Sequence, residues 1–463
     1  MEYPQVVKIS RHDPGPDYES PWQTQTPSSS TGSGVILGPR TVLTGAHVVA
    51  NGTFVQIQEA AAPDKVLARR AAVCHDCDLA LLTLADPGAP DLGGGIAPAE
   101  VGELPDLRDH VSVVGFPIGG EEISITEGVV SRIEVQRYTH SQRQLLAVTV
   151  DAAINEGNSG GPVFKEGRVA GIAFQKLHTA ENVGELVPAP LIEHFLRGVA
   201  QGRSPDLPAL GVRAQNLENP YLRRHLRLPE GTSGILVNAV EHGSSGWGVL
   251  EPGDAILSLG GYALANNGTV RYRDRYRTRY DVVLGQYFVG DEIEVAVWRD
   301  GARHDLTLTL TPLTRLVPRS RYDTLPTYFV YGGLVFQALT RDYLTTWPEW
   351  WKNAPDELLN LYNHGEVTAE RREVVVLTQV LADALTVGYG RFGNKVIERV
   401  NGAEVRDVRH FVELVEGSGS EVVLTTSGGG RIVLDAVEAR GGGEAILRRY
   451  HIPADRSADL RAT

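Results

Sequence analysis

Cysteine is scarce: only Cys74 and Cys77 occur in 463 residues. Two thiols make no disulfide framework, and they suit a reducing compartment. Long apolar runs are missing too, and none approaches the length a helix needs to cross a bilayer. Positive charge is not in excess. The formal net charge is -13, which argues against a general nucleic-acid binder, a class that is usually basic. The opening Met1-Glu2-Tyr3-Pro4-Gln5 has neither a basic head nor an apolar stretch. The expectation is therefore no signal peptide and a cytoplasmic protein. What the chain does have is an ordinary apolar fraction, 42%, and length for roughly three domains.

The first 30 or so residues are rich in Pro, Ser and Thr, with a lone Trp22, and read as an extended N-terminal arm. From 31 to 203 short β-branched runs alternate with Gly, Pro and Asp, as in Thr41-Val42-Leu43 and Val111-Ser112-Val113-Val114. That pattern predicts an antiparallel barrel or sandwich. A helix is expected from Pro190 to Val199, and Pro205 and Pro208 mark a linker. Two further units follow, at 204–315 and 316–463. Each has a Gly-then-apolar strand (Gly234-Ile235-Leu236-Val237; Gly332-Gly333-Leu334-Val335-Phe336) and a later strand ending in a Gly hairpin. The second also carries a Trp-rich insertion at about 343–370.

Three local settings point to acyl-transfer chemistry. Glu156-Gly157-Asn158-Ser159-Gly160-Gly161-Pro162 offers a serine on a sharp turn, where the N–H groups of Gly157 and Ser159 can face one spot. His47 follows a strand-like Val-Leu and a Gly-Ala pair. Asp78 opens the apolar strand Leu79-Ala80-Leu81-Leu82, and a carboxylate there needs a partner, which an imidazole supplies. A serine hydroxyl is a poor nucleophile until a base takes its proton and a third group orients that base. Singly, each residue has a duller reading as a turn serine, a packed histidine or a strand-opening aspartate. The order His, Asp, Ser, each at a strand edge, favours the triad. Gly-Asn-Ser-Gly-Gly also matches a nucleophile elbow, but an elbow leads from strand into helix and its histidine follows the serine. Here Pro162-Val163-Phe164 leads to a Gly167 turn and another strand.

These motifs, with Gly32-Ser33-Gly34, Gly115-Phe116-Pro117 and Tyr331-Gly332-Gly333-Leu334, make the chain resemble the HtrA/Deg serine proteases. The branch most similar is the plant nuclear or nucleolar type with two PDZ domains. The resemblance implies a mainly β protein: a chymotrypsin-like double β-barrel, then two PDZ domains. It implies His47 as general base, Asp78 as its orienter, Ser159 as nucleophile, and Gly157 and Ser159 as the oxyanion hole. Ile172, Ala173, Phe174 and Gln175 would hold substrate backbone, with about 174–188 walling the specificity pocket. Gly234, Ile235 and Leu236 would be the carboxylate loop of the first PDZ domain, receiving peptide C-termini. Asn158 stands where digestive relatives carry an acid, so activation by pro-segment cleavage is not expected, and Glu156 is expected to affect substrate fit. Ordering of loops by PDZ ligands and by homo-oligomerisation is expected instead, as a trimer or multiple of trimers, with 135–145 as a candidate loop and Trp22 in the trimer contact. A eukaryotic source would imply the nucleus or nucleolus.

The function so implied is an ATP-independent serine endopeptidase acting on unfolded or tagged proteins, with no metal or organic cofactor, no membrane and no nucleic-acid partner. A proteolytically silent PDZ scaffold and a serine esterase are the alternatives. Cys74-His75-Asp76-Cys77 has metal-ligand spacing but no second pair, so core thiols are expected. The alternating Arg/Tyr run 271–280 could stack nucleic-acid bases, but is read as a solvated loop. The 343–370 insertion is expected to fill the second PDZ groove or cement an assembly.

Overall fold

The structure is a computed structural model describing residues 2–60, 62–117, 120, 122–152, 154, 157–176 and 183–461, with the side chains of 175 and 176 outside that description. Its contacts group into two units, residues 1–13 with 28–313 and residues 14–27 with 314–463.

In the first unit, β1 (Val6–Asp13), β2 (Ser28–Gly38), β3 (Thr41–Thr44), β4 (Phe54–Glu59), β5 (Lys65–Cys74) and β6 (Leu79–Leu84) close one antiparallel barrel in the order β1-β2-β3-β6-β5-β4. A second barrel closes from β7 (His110–Gly115), β8 (Ser124–Arg137), β9 (Gln144–Val150), β10 (Pro162–Lys165), β11 (Arg168–Lys176) and β12 (Gly184–Pro188) in the order β10-β11-β12-β9-β8-β7. The apolar runs are continuous rather than alternating because both faces of these strands are covered. Val42 and Leu82 pack inside the first barrel with Val7, Ile9 and Ile57. Their neighbours Leu43 and Leu79 join Val114, Phe116, Tyr138, Ile172 and Phe174 in a second cluster. Helix α2 (Ala189–Ala200) seals that cluster with Leu191, Ile192 and Phe195.

The structure differs from the expected arm. Val6–Asp13 is a full barrel strand, paired with β2 from Val6↔Val35 to Asp13↔Ser28 and with β4 on its other side. Polar Lys8 and Ser10 hide the period of Val7 and Ile9, yet both are buried.

The next sheet runs β14 (Val212–Asn216), β15 (Ile235–Val240), β16 (Ala255–Leu259), β20 (Glu292–Arg299), β21 (Ala302–Thr309), after the short β13 (Pro208–Ala209), which pairs with β22 (Thr311–Pro312). The small strand β17 (Tyr262–Ala263) pairs with β16, and β18 (Thr269–Tyr272) with β19 (Tyr276–Arg279) forms a separate hairpin.

The second unit holds one sheet in the order β23 (Tyr328–Tyr331), β24 (Leu334–Ala338), β25 (Val375–Val380), β26 (Lys395–Val400), β28 (Glu421–Thr426), β29 (Arg431–Asp435), with β27 (Ala403–Glu404) beside β26. Helix α3 (Val408–Glu416) is capped by Asp407, whose carboxylate accepts from His410 N–H. It buries Val408, Phe411, Val412 and Val415, the i, i+3, i+4, i+7 stripe of an amphipathic helix. The Trp-rich insertion packs Tyr343, Leu344 and Leu358 against Leu316 and Tyr18. Trp22 lies against Tyr328, ring centroids 5.9 Å apart. Its ring is therefore engaged within its own chain.

Candidate active site

The site begins with a short helix, α1 (Ala46–Val49), set directly after β3, which carries His47. Asp78 sits just ahead of β6 in the left-handed backbone region, φ 56°, a conformation that aspartate tolerates better than most residues. There its side chain is 1% exposed. His47 satisfies it twice: the backbone N–H donates to Oδ1 at 2.8 Å and the ring Nδ1 to Oδ2 at 2.7 Å. With the ring proton committed to the carboxylate, the Nε2 lone pair is left to act as a base. Burial alone pushes the His47 pKa down, but the Asp78 charge and hydrogen bond more than offset it, and the net shift is upward. Burial raises Asp78, while the His47 charge and its bonds outweigh that and hold it below the ordinary carboxylate value.

Ser159 comes from the second barrel, on the turn between β9 and β10. Three contacts clamp this turn. Ser33 N–H donates to the Ser159 carbonyl at 2.9 Å. Ser33 Oγ donates to the Gly157 carbonyl at 2.7 Å and accepts from Phe116 N–H at 2.8 Å. Gly160 N–H donates to Ala173 O at 2.7 Å. Gly160, at φ +79°, leaves no room for a side chain: a Cβ would lie 2.4 Å from Thr44 Oγ1 and 2.8 Å from Val48 Cγ2. A Cβ on Gly45 would lie 2.7 Å from the His47 ring and 3.6 Å from Gly160 Cα. Gly160 is therefore fixed by the close approach of the serine turn to the histidine helix, and Gly45 by the His47 ring packed against it.

Among the described residues, the N–H groups of Gly157 and Ser159 donate to no other group. His47 Nε2 is enclosed and makes no hydrogen bond, to Ser159 Oγ or to any other described residue. Asn158 is fully buried, with neither side-chain polar atom hydrogen-bonded to a described residue.

Several expectations are corrected by strand pairing. Ile172 and Ala173 cannot add a substrate strand. Ile172 pairs with Pro162 on one side and Val187 on the other. Ala173 pairs with Leu186, donates to Gly161 O and accepts from Gly160 N–H. The β10 pairing ends at Ile172, so among the described residues the open edge of β11 starts at Phe174, which is buried and stacks on Tyr138 at 4.2 Å. Gln175 follows on that edge, but its side chain, Glu156 and the 177–182 part of the expected pocket wall lie outside the described residues.

The carboxylate-loop assignment to Gly234, Ile235 and Leu236 fails for the same reason. Ile235 and Leu236 pair with β14 on one side and β16 on the other. Gly234 N–H is already bonded to Asn266 Oδ1. The terminal strand of that sheet is β14, preceded by Gly211 at φ +70°. In the second unit Leu334–Phe336 is likewise paired on both sides, with β23 rather than the insertion filling one edge.

The Arg/Tyr run is β18 and β19. Tyr272 and Thr278 face inward, and Thr278 Oγ1 accepts from Val135 N–H of the second barrel at 2.6 Å. The run is therefore a packed hairpin rather than the expected solvated loop, with Tyr272 buried and Tyr276 and Tyr280 half-buried. Cys74 and Cys77 are buried free thiols. No group of three or more His, Cys, Asp or Glu able to hold a metal occurs among the described residues. Ser33 was visible only as part of a Gly-Ser-Gly run, and its bridging role lay beyond sequence reading.

Two closed six-stranded barrels with a His–Asp couple on one and a Gly-flanked serine on the other define a trypsin-like serine endopeptidase. A trypsin-like peptidase domain model matches residues 32–172, and a PDZ domain model matches residues 317–459. The chain is 35% identical over 460 residues to protease Do-like 2, chloroplastic, of Arabidopsis thaliana, covering 98% of this chain and 75% of that one. To protease Do-like 4, mitochondrial, of the same plant it is 34% identical over 458 residues, covering 98% and 85%. Among solved structures, the HtrA-type protease AlgW with tripeptide superposes with a TM-score of 0.52 at 25% identity, over 67% of this chain and 94% of that one. The chain belongs to the Do-like (Deg/HtrA) protease family.

The couple makes a direct prediction. In wild-type protein His47 titrates above 6.5. In Asp78→Asn the raising charge is gone while burial remains, so His47 titrates below 6.5. Histidine-labelled NMR reads both, and an unmoved midpoint contradicts the assignment.

Proposed function

We propose that this protein is an ATP-independent endopeptidase that cleaves unfolded or tagged proteins with His47, Asp78 and Ser159 as its triad. The observation that carries the reading is the doubly bonded His47–Asp78 couple beside the clamped Ser159 turn. His47 Nε2 takes the Ser159 proton as Oγ attacks the peptide carbonyl. The oxyanion is received by the N–H groups of Gly157 and Ser159, which have no other described acceptor. His47 then gives the proton to the leaving amine, and water hydrolyses the acyl-enzyme by the same route reversed. A side-chain rotation brings Ser159 Oγ to Nε2 when substrate binds.

Substrate backbone adds to the β11 edge from Phe174 onward. Regulatory peptides add to β14, the exposed terminal strand of the first PDZ sheet, whereas the second PDZ sheet has its corresponding edge taken by β23. Assembly as a trimer or multiple of trimers, and action in the cytoplasm, complete the reading. No helix among the described residues is long and apolar enough to cross a membrane.

A fluorophosphonate probe labels Ser159 and casein is degraded without ATP, and both are lost in Ser159→Ala, with turnover falling by about 10⁴-fold or more. Peptide capture without labelling marks a silent scaffold, and ester turnover without proteolysis marks an esterase. A C-terminal peptide ligand slows hydrogen exchange in β14; protection at β24 instead overturns the assignment of the binding edge.

A further inference from the structure

A helix of four residues, such as the one that carries His47, is marginal by itself. Its start has no side-chain cap, but the His47 N–H is held there by Asp78 at 2.8 Å. Its end is held from β1. Arg11 Nη1 donates to the carbonyl of Ala50, the C-cap residue, at 2.6 Å. Gly52 makes room for this side chain: a Cβ there would lie 2.8 Å from Arg11 Cγ and 3.0 Å from the Val49 carbonyl oxygen. The segment is tied to β1 again by Thr53 N–H, which donates to the His12 carbonyl at 3.1 Å.

The Arg11 side chain is 17% exposed, and its Nη2 lies 3.9 Å from Asp13 Oδ2, too far for a hydrogen bond. A guanidinium keeps its charge at every working pH. Ala50 follows His47 by less than one helical turn, so this charge stands within roughly 10 Å of the imidazole. The charged and titratable groups around His47 are Asp78, on the turn before β6, Arg11, on β1, and the His140 ring, on the tip between β8 and β9, its centroid 6.3 Å away. Burial has the largest effect on the His47 pKa and lowers it, Asp78 raises it, and the Arg11 charge lowers it. The net shift is upward, and Arg11 limits how far it goes.

We propose that Arg11 is a positioning residue for the base: it ties the end of the His47 helix to β1 and sets a permanent positive charge beside that helix. The consequence for turnover rests on the peptidase reading above; the tie and the charge do not.

Variants of the full chain test this, first in a Ser159→Ala background. Arg11→Met keeps the stem and removes both the donor and the charge. The His47 midpoint, read by NMR, then rises by roughly 0.3 to 1 pH unit, and hydrogen exchange of the Ala50 amide speeds by about 10-fold. Arg11→Lys keeps the charge and holds the midpoint near that of the parent. Arg11→Gln serves if Arg11→Met does not fold. With Ser159 restored, Arg11→Met moves the acid limb of kcat/KM to higher pH by the same amount, a loss of roughly 2- to 10-fold below the midpoint that narrows above it. An unmoved or lowered midpoint, an equal rise in Arg11→Lys, or unchanged Ala50 exchange overturns the proposal. A raised midpoint and faster exchange in a protein that cleaves nothing sink the peptidase reading alone; normal turnover with midpoint and exchange unmoved sinks the role of Arg11 alone.

Discussion

A carboxylate with almost no exposure to water is the constraint on which this site depends. An unpaired Asp78 would cost several kcal/mol, so it must be met by donors, and His47 supplies two from adjacent atoms. That requires a helix to start within one residue of β3 and an aspartate to adopt a left-handed backbone just before β6. Once those conditions are met, the imidazole has one tautomer and one orientation.

Ser159, the proposed nucleophile, is placed by a different device. Its turn is held by Ser33, which reaches from the first barrel to bond Gly157 and Ser159 in the second. Gly160 permits the approach because it has no side chain to obstruct it, and Gly45 leaves room for the His47 ring. The apolar cluster that includes Leu43, Leu79, Ile172 and Phe174 lies behind, so the polar contacts work against a rigid background. The same sheet logic governs peptide capture. A strand can be added only where an edge is open, and most strands here have none.

Much of this was legible in the chain. The β-branched runs mark barrel strands, the Gly-rich turn marks a close approach of two segments, and His47 and Asp78 meet as a hydrogen-bonded couple. Edges were not legible. Whether Ile172 or Ile235 has a free side depends on partners at Pro162, Val187, Asn216 and Ile256, which pair across turns and long connections. The first strand escaped notice because Lys8, Ser10, Arg11 and His12 interrupt its apolar alternation, while the Pro- and Ser-rich residues after it dominate the composition. The contact of Arg11 with Ala50 spans 39 positions and is created where that strand closes the barrel.

The central claim is that Asp78 locks the proton on His47 Nδ1 and leaves Nε2 free to accept one from Ser159. Proton NMR of the full chain tests it through the imidazole proton held in the 2.7 Å bond, which resonates far downfield of the amide region. The account predicts that this signal is present in wild-type protein, persists in Ser159→Ala and vanishes in Asp78→Asn. A folded wild-type protein without it, or a signal that survives Asp78→Asn, would contradict the account.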